Sequence, residues 1–350
     1  MKQRLSPDKF TFPAEEIKSG LYSDCYFNRT RDILLAANRH PRVTMQIFQR
    51  QHAVICGVDE AIAIIKKCAH NPENLVIKAL YDGDDIAPWE TVMTIEGDLA
   101  DFSHLETVYL GVLARQTKVA TNTRRCANAA AGKPLFFFSS RFDPWGTQTG
   151  DGYAAHIGGA AGVSTPANGL YWGAKAIGTI PHALIATYGG DTVAATRAFD
   201  RHIDPAVSRV ALVDYDNDCV ATSLAVARAM DGKLFAVRLD TSDTLVDASV
   251  LPQMGAFRPT GVCAPLVANV RRALDEAGYP HIKIMVSGGF NADRIAEFEA
   301  ARVPADIYAV GASLFADNVN FTADIVMVDG RHCAKAGRSY KPNPRLAIVE

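Results

Sequence analysis

The sequence predicts an α/β fold built from parallel βα units, and it favours a barrel over an open doubly wound sheet. Short apolar runs alternate with helical stretches from about residue 135 onwards, which is typical of such units. Polar or glycine residues follow successive runs, namely Arg141, Asp214, Asp240, Ser287 and Gly311. Because the carboxyl ends of barrel strands form the catalytic rim, this recurrence favours the barrel.

The preceding part of the chain, up to about residue 100, predicts a mixed α/β region. The predicted helices cover 29–38 and 58–68, and the predicted strands cover 44–48 and 76–79. An amphipathic helix is predicted over 101–116, because Phe102, Leu105 and Val112 recur on one face.

The later part contains the predicted βα units. Strands are predicted over 135–138, 210–213, 234–237, 282–286 and 307–310. Helices are predicted over 183–188, 221–230, 265–277 and 293–301. Pro265 and Gly278 mark the two ends of the third helix, and Asp293 is the predicted N-cap of the fourth.

The composition predicts a cytoplasmic globular protein that binds neither nucleic acid nor membranes. The 350 residues are 48% hydrophobic and 21% charged, with a net charge of −2, so there is no basic field for nucleic acid. The polar segment Met1–Lys9 lacks a signal-peptide core, and no apolar run is long enough to span a bilayer. The seven cysteines are scattered without a C-x-x-C pair, so neither a disulfide framework nor a zinc site is predicted.

Two glycine-containing turns predict a phosphate site. Ser287-Gly288-Gly289 follows one late strand, and Gly311-Ala312-Ser313 follows the next. Glycines let backbone N–H groups approach an anion, and the helices that follow add positive potential. The alternative is a pair of tight turns without a ligand.

Arg238 and Asp240 lie two residues apart at another strand end, so their side chains point the same way on an extended strand. The carboxylate suits ribose hydroxyls or a Mg²⁺ shell, and the guanidinium suits a carbonyl or phosphate. An internal ion pair of the barrel is the alternative.

His182 follows the turn Gly178-Thr179-Ile180-Pro181, where a histidine serves as a general base or phosphoryl acceptor, or is purely structural.

Phe138 and Arg141 combine an aromatic wall with a cation. This pair suits a planar aromatic acid, because the ring stacks and the guanidinium binds the carboxylate. A core strand followed by a surface arginine is the alternative.

Taken together, these stretches resemble the nicotinate phosphoribosyltransferases, which are type II phosphoribosyltransferases, and in particular their shorter, archaeal-like branch. The resemblance covers most of the chain in a fixed order. The motifs that carry it are Ser23-Asp24-Cys25-Tyr26-Phe27-Asn28-Arg29-Thr30, Leu105-Glu106-Thr107, Val119-Ala120-Thr121, Ser140-Arg141-Phe142-Asp143-Pro144, His156-Ile157-Gly158-Gly159, Gly178-Thr179-Ile180-Pro181-His182, Arg238-Leu239-Asp240-Thr241, Ser287-Gly288-Gly289 and Gly311-Ala312-Ser313.

The resemblance implies transfer of phosphoribosyl from phosphoribosyl pyrophosphate to nicotinate, giving nicotinate mononucleotide and pyrophosphate. It implies Mg²⁺, ATP as co-substrate and no zinc. Its implied site residues are His182 as phosphohistidine, Asp240 at the ribose, Tyr26, Phe138, Arg141, Thr179 and Arg238 at the substrates, and Ser287, Gly288, Gly289, Gly311, Ala312 and Ser313 at the 5′-phosphate. Tyr26 enters from a second subunit, which implies a homodimer or higher homo-oligomer.

The implied fold is an irregular, TIM-like α/β barrel with an N-terminal α/β sandwich domain. The barrel covers 121–319, and the first domain covers 1–120 and is completed by 320–350. Ser140 stands where the family often has an arginine, so nicotinamide or quinolinate is an alternative base. A phosphosugar isomerase or aldolase barrel and a non-catalytic nucleotide-binding homologue are the remaining alternatives.

Overall fold

The computed structural model describes residues 3–350, so Met1 and Lys2 of the polar N-terminus lie outside the described residues. The chain divides into two compact units. The first unit contains the residues up to Thr121 together with Ala316–Glu350, and the second contains Asn122–Phe315. The sequence predicts domain boundaries between residues 120 and 121 and between residues 319 and 320.

The first unit begins with short helices and the strands of an antiparallel sheet. Its helices are α1 (Ala14–Ser19), α2 (Cys25–Ala36), α3 (Val58–Cys68), α4 (Leu99–Phe102) and α5 (Glu106–Ala129), of which α5 continues into the second unit. Its strands are β1 (Arg42–Phe48), β2 (Ala53–Val54), β3 (Val76–Ala79), β4 (Asp85–Ile86) and β5 (Thr91–Asp98).

The second unit alternates strands with helices. Its strands are β6 (Leu135–Phe137), β7 (Gly162–Val163), β8 (Arg209–Leu212), β9 (Leu234–Leu239), β10 (Lys283–Val286) and β11 (Ile307–Val310). Its helices are α6 (Gln148–Gly158), α7 (His182–Thr187), α8 (Thr192–His202), α9 (Cys219–Met230), α10 (Ala264–Glu276) and α11 (Ala292–Ala300). Three further strands, β12 (Thr322–Val328), β13 (Arg331–His332) and β14 (Ala347–Ile348), follow it in the chain.

The sheet of the first unit has the order β13-β12-β1-β5-β3-β14, and its paired strands are antiparallel. β12 pairs with β1 and β14 pairs with β3, so the C-terminal segment supplies strands on both sides of the three inner ones. The core beneath this sheet includes the apolar face of α3, with Ile62 and Ile65 buried. The amphipathic pattern of α3 therefore places the helix against the sheet.

The sheet of the second unit is parallel, with the order β7-β6-β11-β10-β9-β8. Among the described residues β7 and β8 are its edges, so the pairing defines a half-barrel and not a closed ring. The predicted α/β class with parallel strands is confirmed. Side chains on its inner face, including Val210, Ala236 and Met285, form a small apolar cluster together with Phe136 and Phe138.

Most elements expected from the sequence are present, and 58–68, 76–79 and 307–310 are present with the expected bounds. The expected N-cap Asp293 is wrong: Asn291 caps α11, because its side chain accepts the N–H of Arg294. The helix expected over 101–116 is interrupted by a 3₁₀ turn at Ser103–Leu105. No helix among residues 3–350 has both the length and the apolar character needed to cross a membrane.

Asp82 stabilises the start of α3 but is half-buried beside a second carboxylate. Its Oδ1 accepts the N–H of Val58 at 2.8 Å, and neighbouring Asp59 is paired with Arg4 at 2.9 Å. Burial, and then the charge of Asp59, raise the pKa of Asp82 to about 7. Since this value exceeds that of the unfolded chain, the group's contribution to stability is present below about pH 4 and is lost as the pH rises to about 7.

We therefore expect Asp82→Asn, which keeps an oxygen acceptor for Val58 but carries no charge, to remove this loss. Thermal unfolding is measured between about pH 5 and about pH 8. The Tm of the variant minus the Tm of the wild-type protein should increase as the pH rises. The exposed Asp85 provides the control Asp85→Asn. A Tm difference that is constant over this range would contradict the assignment.

Candidate active site

One cavity of about 590 Å³ in the second unit collects every site residue that the sequence predicted in that unit. It lies where β6, β9, β10 and β11 end. The predicted residues that line it are Phe138, Arg141, Thr179, His182, Arg238, Asp240, Ser287, Gly288, Gly289, Gly311, Ala312 and Ser313. The glycine turns are therefore open to the cavity and are not packed shut.

The two turns present unpaired backbone donors to this cavity. Gly288 and Gly289 have φ values of +86° and +70°, a left-handed conformation that other residues rarely adopt. Within the described residues, no protein acceptor is recorded for the N–H groups of Gly289, Phe290, Ala312 and Ser313. Because unpaired N–H groups require an acceptor, this cup suits an anion with several oxygens.

Arg238 connects the cup of backbone N–H groups, called the amide cup below, to the rest of the cavity. Its guanidinium donates to Ser287 Oγ at 2.9 Å, Thr179 Oγ1 at 3.1 Å and Asp240 Oδ2 at 2.8 Å. Ser287 Oγ in turn lies 2.7 Å from Asp240 Oδ1, so both oxygens of that carboxylate are held. The guanidinium also lies 5.5 Å from the centre of the Phe138 ring. The ion pair considered from the sequence does exist, and both of its members line the cavity.

His182 is the first residue of α7, and it is oriented by a buried carboxylate. Its Nε2 lies 3.0 Å from both oxygens of Asp214. The Asp214 side chain is 7% exposed, whereas that of His182 is 47% exposed. Burial raises the pKa of Asp214, and the facing His182 opposes that shift. Asp214 therefore fixes the ring through Nε2 and leaves Nδ1 available for chemistry.

The aromatic and basic side of the cavity is formed by Phe138, Arg141 and Phe142. The Arg141 guanidinium lies 5.3 Å from the centre of the Phe142 ring and, within the described residues, has no recorded ion pair. A guanidinium without a carboxylate partner beside aromatic rings suits a planar acid.

A polar cluster that sequence reasoning missed borders the same cavity. Ser140 Oγ donates to Asn168 Oδ1 at 2.6 Å, and Thr165 Oγ1 lies 2.8 Å from the same atom and 3.0 Å from Gln148 Oε1. Ser164 and Thr165 directly follow β7. Polar residues therefore follow β7 as they follow the other strands. The strand itself was not predicted, because it has only two residues.

Tyr26 lies on α2 of the first unit. Its side chain is exposed, and its hydroxyl lies 3.3 Å from Asp24 Oδ2. Asp24 also accepts a hydrogen bond from Thr107 at 2.8 Å, which links two of the motifs noted in the sequence. No residue of α2 is buried, and the side chains of Tyr26, Ile33 and Leu35 are exposed.

The parallel α/β unit, with a cavity at the carboxyl ends of its strands, places the chain among α/β enzymes whose site lies at this rim. Residues 24–117 match the family model of the quinolinate phosphoribosyl transferase N-terminal domain. The crystal structure of nicotinate-nucleotide pyrophosphorylase from Pyrococcus furiosus is 34% identical, aligns with 100% of this chain and 86% of its own, and has a TM-score of 0.81. The chain belongs to the family of nicotinate phosphoribosyltransferases and nicotinate-nucleotide pyrophosphorylases, which confirms the resemblance.

Several curated relatives are named nicotinate phosphoribosyltransferase. Nicotinate phosphoribosyltransferase pncB1 of Mycobacterium tuberculosis is 31% identical over 276 residues, which are 77% of this chain. The chain spans 57% of the length of that relative. Human nicotinic acid phosphoribosyltransferase is 17% identical with a TM-score of 0.69, covering 91% of this chain and 77% of its own, and shares the fold.

Proposed function

We propose that the protein is a nicotinate phosphoribosyltransferase, which transfers phosphoribosyl from phosphoribosyl pyrophosphate to nicotinate. The observation that carries this proposal is the single cavity that holds an amide cup, the Arg238–Asp240 pair and the unpaired Arg141. The cup suits the 5′-phosphate, the carboxylate suits the ribose, and the guanidinium suits the carboxylate of the base.

The number of available cations favours a base with one carboxylate. The cavity is lined by two arginines, and Arg238 is already bound to Asp240. Arg141 alone remains free among the arginines that line it. Quinolinate carries two carboxylates and would require a second free cation, whereas nicotinate carries one. Quinolinate is therefore the second candidate, supported by the name of the family model that matches residues 24–117.

The proposed reaction breaks the bond between ribose C1 and the pyrophosphate oxygen, and the ring nitrogen of nicotinate forms the new bond to C1. Positive charge develops on the ribose as the bond breaks. Asp240, held by Arg238 and Ser287, supplies fixed negative charge beside the ribose. The amide cup binds the 5′-phosphate and keeps the sugar in position.

We propose His182 as the residue that couples the reaction to ATP. In this step Nδ1 attacks the γ-phosphorus of ATP, the bond to ADP breaks, and ADP leaves. Water later hydrolyses the phosphohistidine to phosphate. Asp214 supports the step because it holds Nε2 and stabilises the charge that the ring acquires.

Mg²⁺ is proposed to enter with the pyrophosphate group of the substrate. Among residues 3–350 no group of three or more His, Cys, Asp or Glu side chains could hold a metal ion. Asp240, a carboxylate that lines the cavity, already binds Arg238 and Ser287. Magnesium is often bound chiefly through substrate phosphates, which suits this arrangement.

The irregular barrel and the homodimer also remain proposals. The half-barrel sheet of the second unit supports the barrel. Exposed apolar side chains in α2 and in the segment just before it support self-association, since the same part of the chain carries Tyr26, the residue expected to enter a partner's site. They are Leu21, Tyr22, Ile33 and Leu35.

A base panel tests the proposal. The protein is incubated with phosphoribosyl pyrophosphate and Mg²⁺, with nicotinate, nicotinamide or quinolinate, and with or without ATP. Release of pyrophosphate with nicotinate alone is expected. Turnover of quinolinate with release of CO₂ would identify the second candidate, and no release with any base would favour a phosphosugar isomerase, an aldolase or a binding protein.

Arg141→Ala is expected to raise the KM for nicotinate by about 10- to 100-fold, the usual cost of losing a charge-assisted hydrogen bond. The KM for phosphoribosyl pyrophosphate should stay near the wild-type value, because the amide cup is unchanged. Steady-state kinetics with each substrate varied would measure both constants. Arg201→Ala, at an exposed position of α8, is the control. An unchanged KM for nicotinate would remove Arg141 from the base pocket.

A further inference from the structure

Arg294 lies behind the glycine turn and has no part in the proposed chemistry. It is the third residue of α11, and its side chain returns towards the start of the helix. Nη1 donates to the carbonyl oxygen of Gly288 at 2.9 Å and lies 3.4 Å from that of Gly289. Nη2 donates to the carbonyl oxygen of Val262 at 2.7 Å. One guanidinium therefore joins the glycine turn to the segment that precedes α10.

The position of this cation is electrostatically unfavourable by itself. The first turn of a helix carries partial positive charge and favours acidic side chains. Burial also lowers the pKa of Arg294. The guanidinium lies 4.4 Å from the centre of the Phe290 ring. The contacts with the ring and the carbonyl oxygens are the interactions that offset these costs.

The carbonyl contacts determine where the neighbouring N–H groups point. Within the described residues no peptide bond is cis. In a trans peptide the carbonyl oxygen and the N–H of the next residue lie on opposite sides. Because the Gly288 and Gly289 carbonyls face Arg294, the N–H groups of Gly289 and Phe290 point away from it. These are two of the donors that have no recorded protein acceptor, and both residues line the cavity.

We propose that Arg294 is a positioning residue for phosphate binding. It holds the glycine turn in the orientation that directs the Gly289 and Phe290 amides to the anion, and it acts through the backbone without touching the ligand. The inference rests on the proposed function only in taking the anion to be the phosphate of a sugar phosphate.

Arg294→Met tests this role, because methionine keeps an apolar stem against Phe290 but cannot hold the carbonyls. Calorimetric titration with ribose 5-phosphate should show affinity reduced by about tenfold or more relative to the wild-type protein. The KM for phosphoribosyl pyrophosphate should rise similarly, while kcat and the KM for nicotinate stay within about threefold. Arg294→Lys, which retains one donor group, should recover part of the affinity, and it replaces the methionine variant if that one does not fold.

Arg271 provides a matched control in the same unit. Its guanidinium donates to the carbonyl oxygens of Ile282 at 2.7 Å and Tyr279 at 3.1 Å, and the residue does not line the cavity. Arg271→Met should lower Tm but leave the affinity for ribose 5-phosphate unchanged. Wild-type affinity in the Arg294 variants, or an equal loss in Arg271→Met, would overturn the positioning role. Failure of the wild-type protein to bind ribose 5-phosphate would instead refute the phosphate cup, and the inference with it.

Discussion

Asp240→Asn is expected to lower kcat by about 10²- to 10³-fold, which is typical for the loss of one group that stabilises charge in a transition state. The substitution keeps the shape of the side chain and an oxygen for Arg238, but it removes the negative charge beside the ribose. Since the positive charge on the ribose develops as the glycosidic bond breaks, the loss should appear mainly in kcat. The KM for phosphoribosyl pyrophosphate should change far less, because the amide cup remains.

Single-turnover kinetics of nicotinate mononucleotide formation would measure this effect directly. Asp275→Asn is the control, since Asp275 also pairs with an arginine, Arg271, at 2.7 Å but lies outside the cavity. A kcat within about threefold of the wild-type value would show that the Asp240 charge does not act on the transition state.

His182→Ala is expected to abolish stimulation by ATP and to leave a slow transfer that does not depend on ATP. The variant has no ring nitrogen to accept the phosphoryl group, whereas the amide cup, Asp240 and Arg141 are unchanged. Pyrophosphate release with and without ATP measures the coupling, and label from γ-³²P ATP measures phosphorylation of the protein.

Asp214→Asn should reduce labelling by at least about tenfold, because the ring loses the carboxylate that fixes its orientation and stabilises its charge. His202→Ala, at the exposed end of α8, should be labelled like the wild-type protein. Undiminished labelling of His182→Ala would assign the phosphoryl acceptor to another residue.

Five of the six parallel strands, all except β7, were predictable because each contains a short apolar run that is followed closely by a polar residue or glycine. β5 was missed, although it is a central strand. It pairs with β1 on one side and β3 on the other, and its residues 91–95 are all buried, so no alternation marks it.

Helix α6 was missed because glycines interrupt its sequence, and glycine disfavours helices. The structure gives a reason for one of them: a Cβ atom at Gly152 would lie 2.2 Å from the carbonyl oxygen of Asn168. The glycine thus allows α6 to approach the turn that carries Asn168. This requirement depends on a contact distant in sequence, so local pattern does not show it.

The candidate site was predictable as a set of strand ends, because parallel strands bring their carboxyl ends to one edge. The contacts between the side chains at those strand ends were not predictable from the sequence. Asp214 was noted in the sequence, but its pairing with His182 joins residues 32 positions apart. The role of Asn168 likewise depends on hydrogen bonds to Ser140 and Thr165 that only the folded chain brings together.

The placement of β12 and β14 has a consequence for synthesis on the ribosome. Until residues 322–348 emerge, β1 and β3 lack the partners that cover their outer edges. The second unit, whose strands all lie within residues 135–310, has no such delay. We therefore expect the nascent chain to complete its parallel sheet first, and to expose two unpaired strand edges that favour aggregation until the last segment is translated.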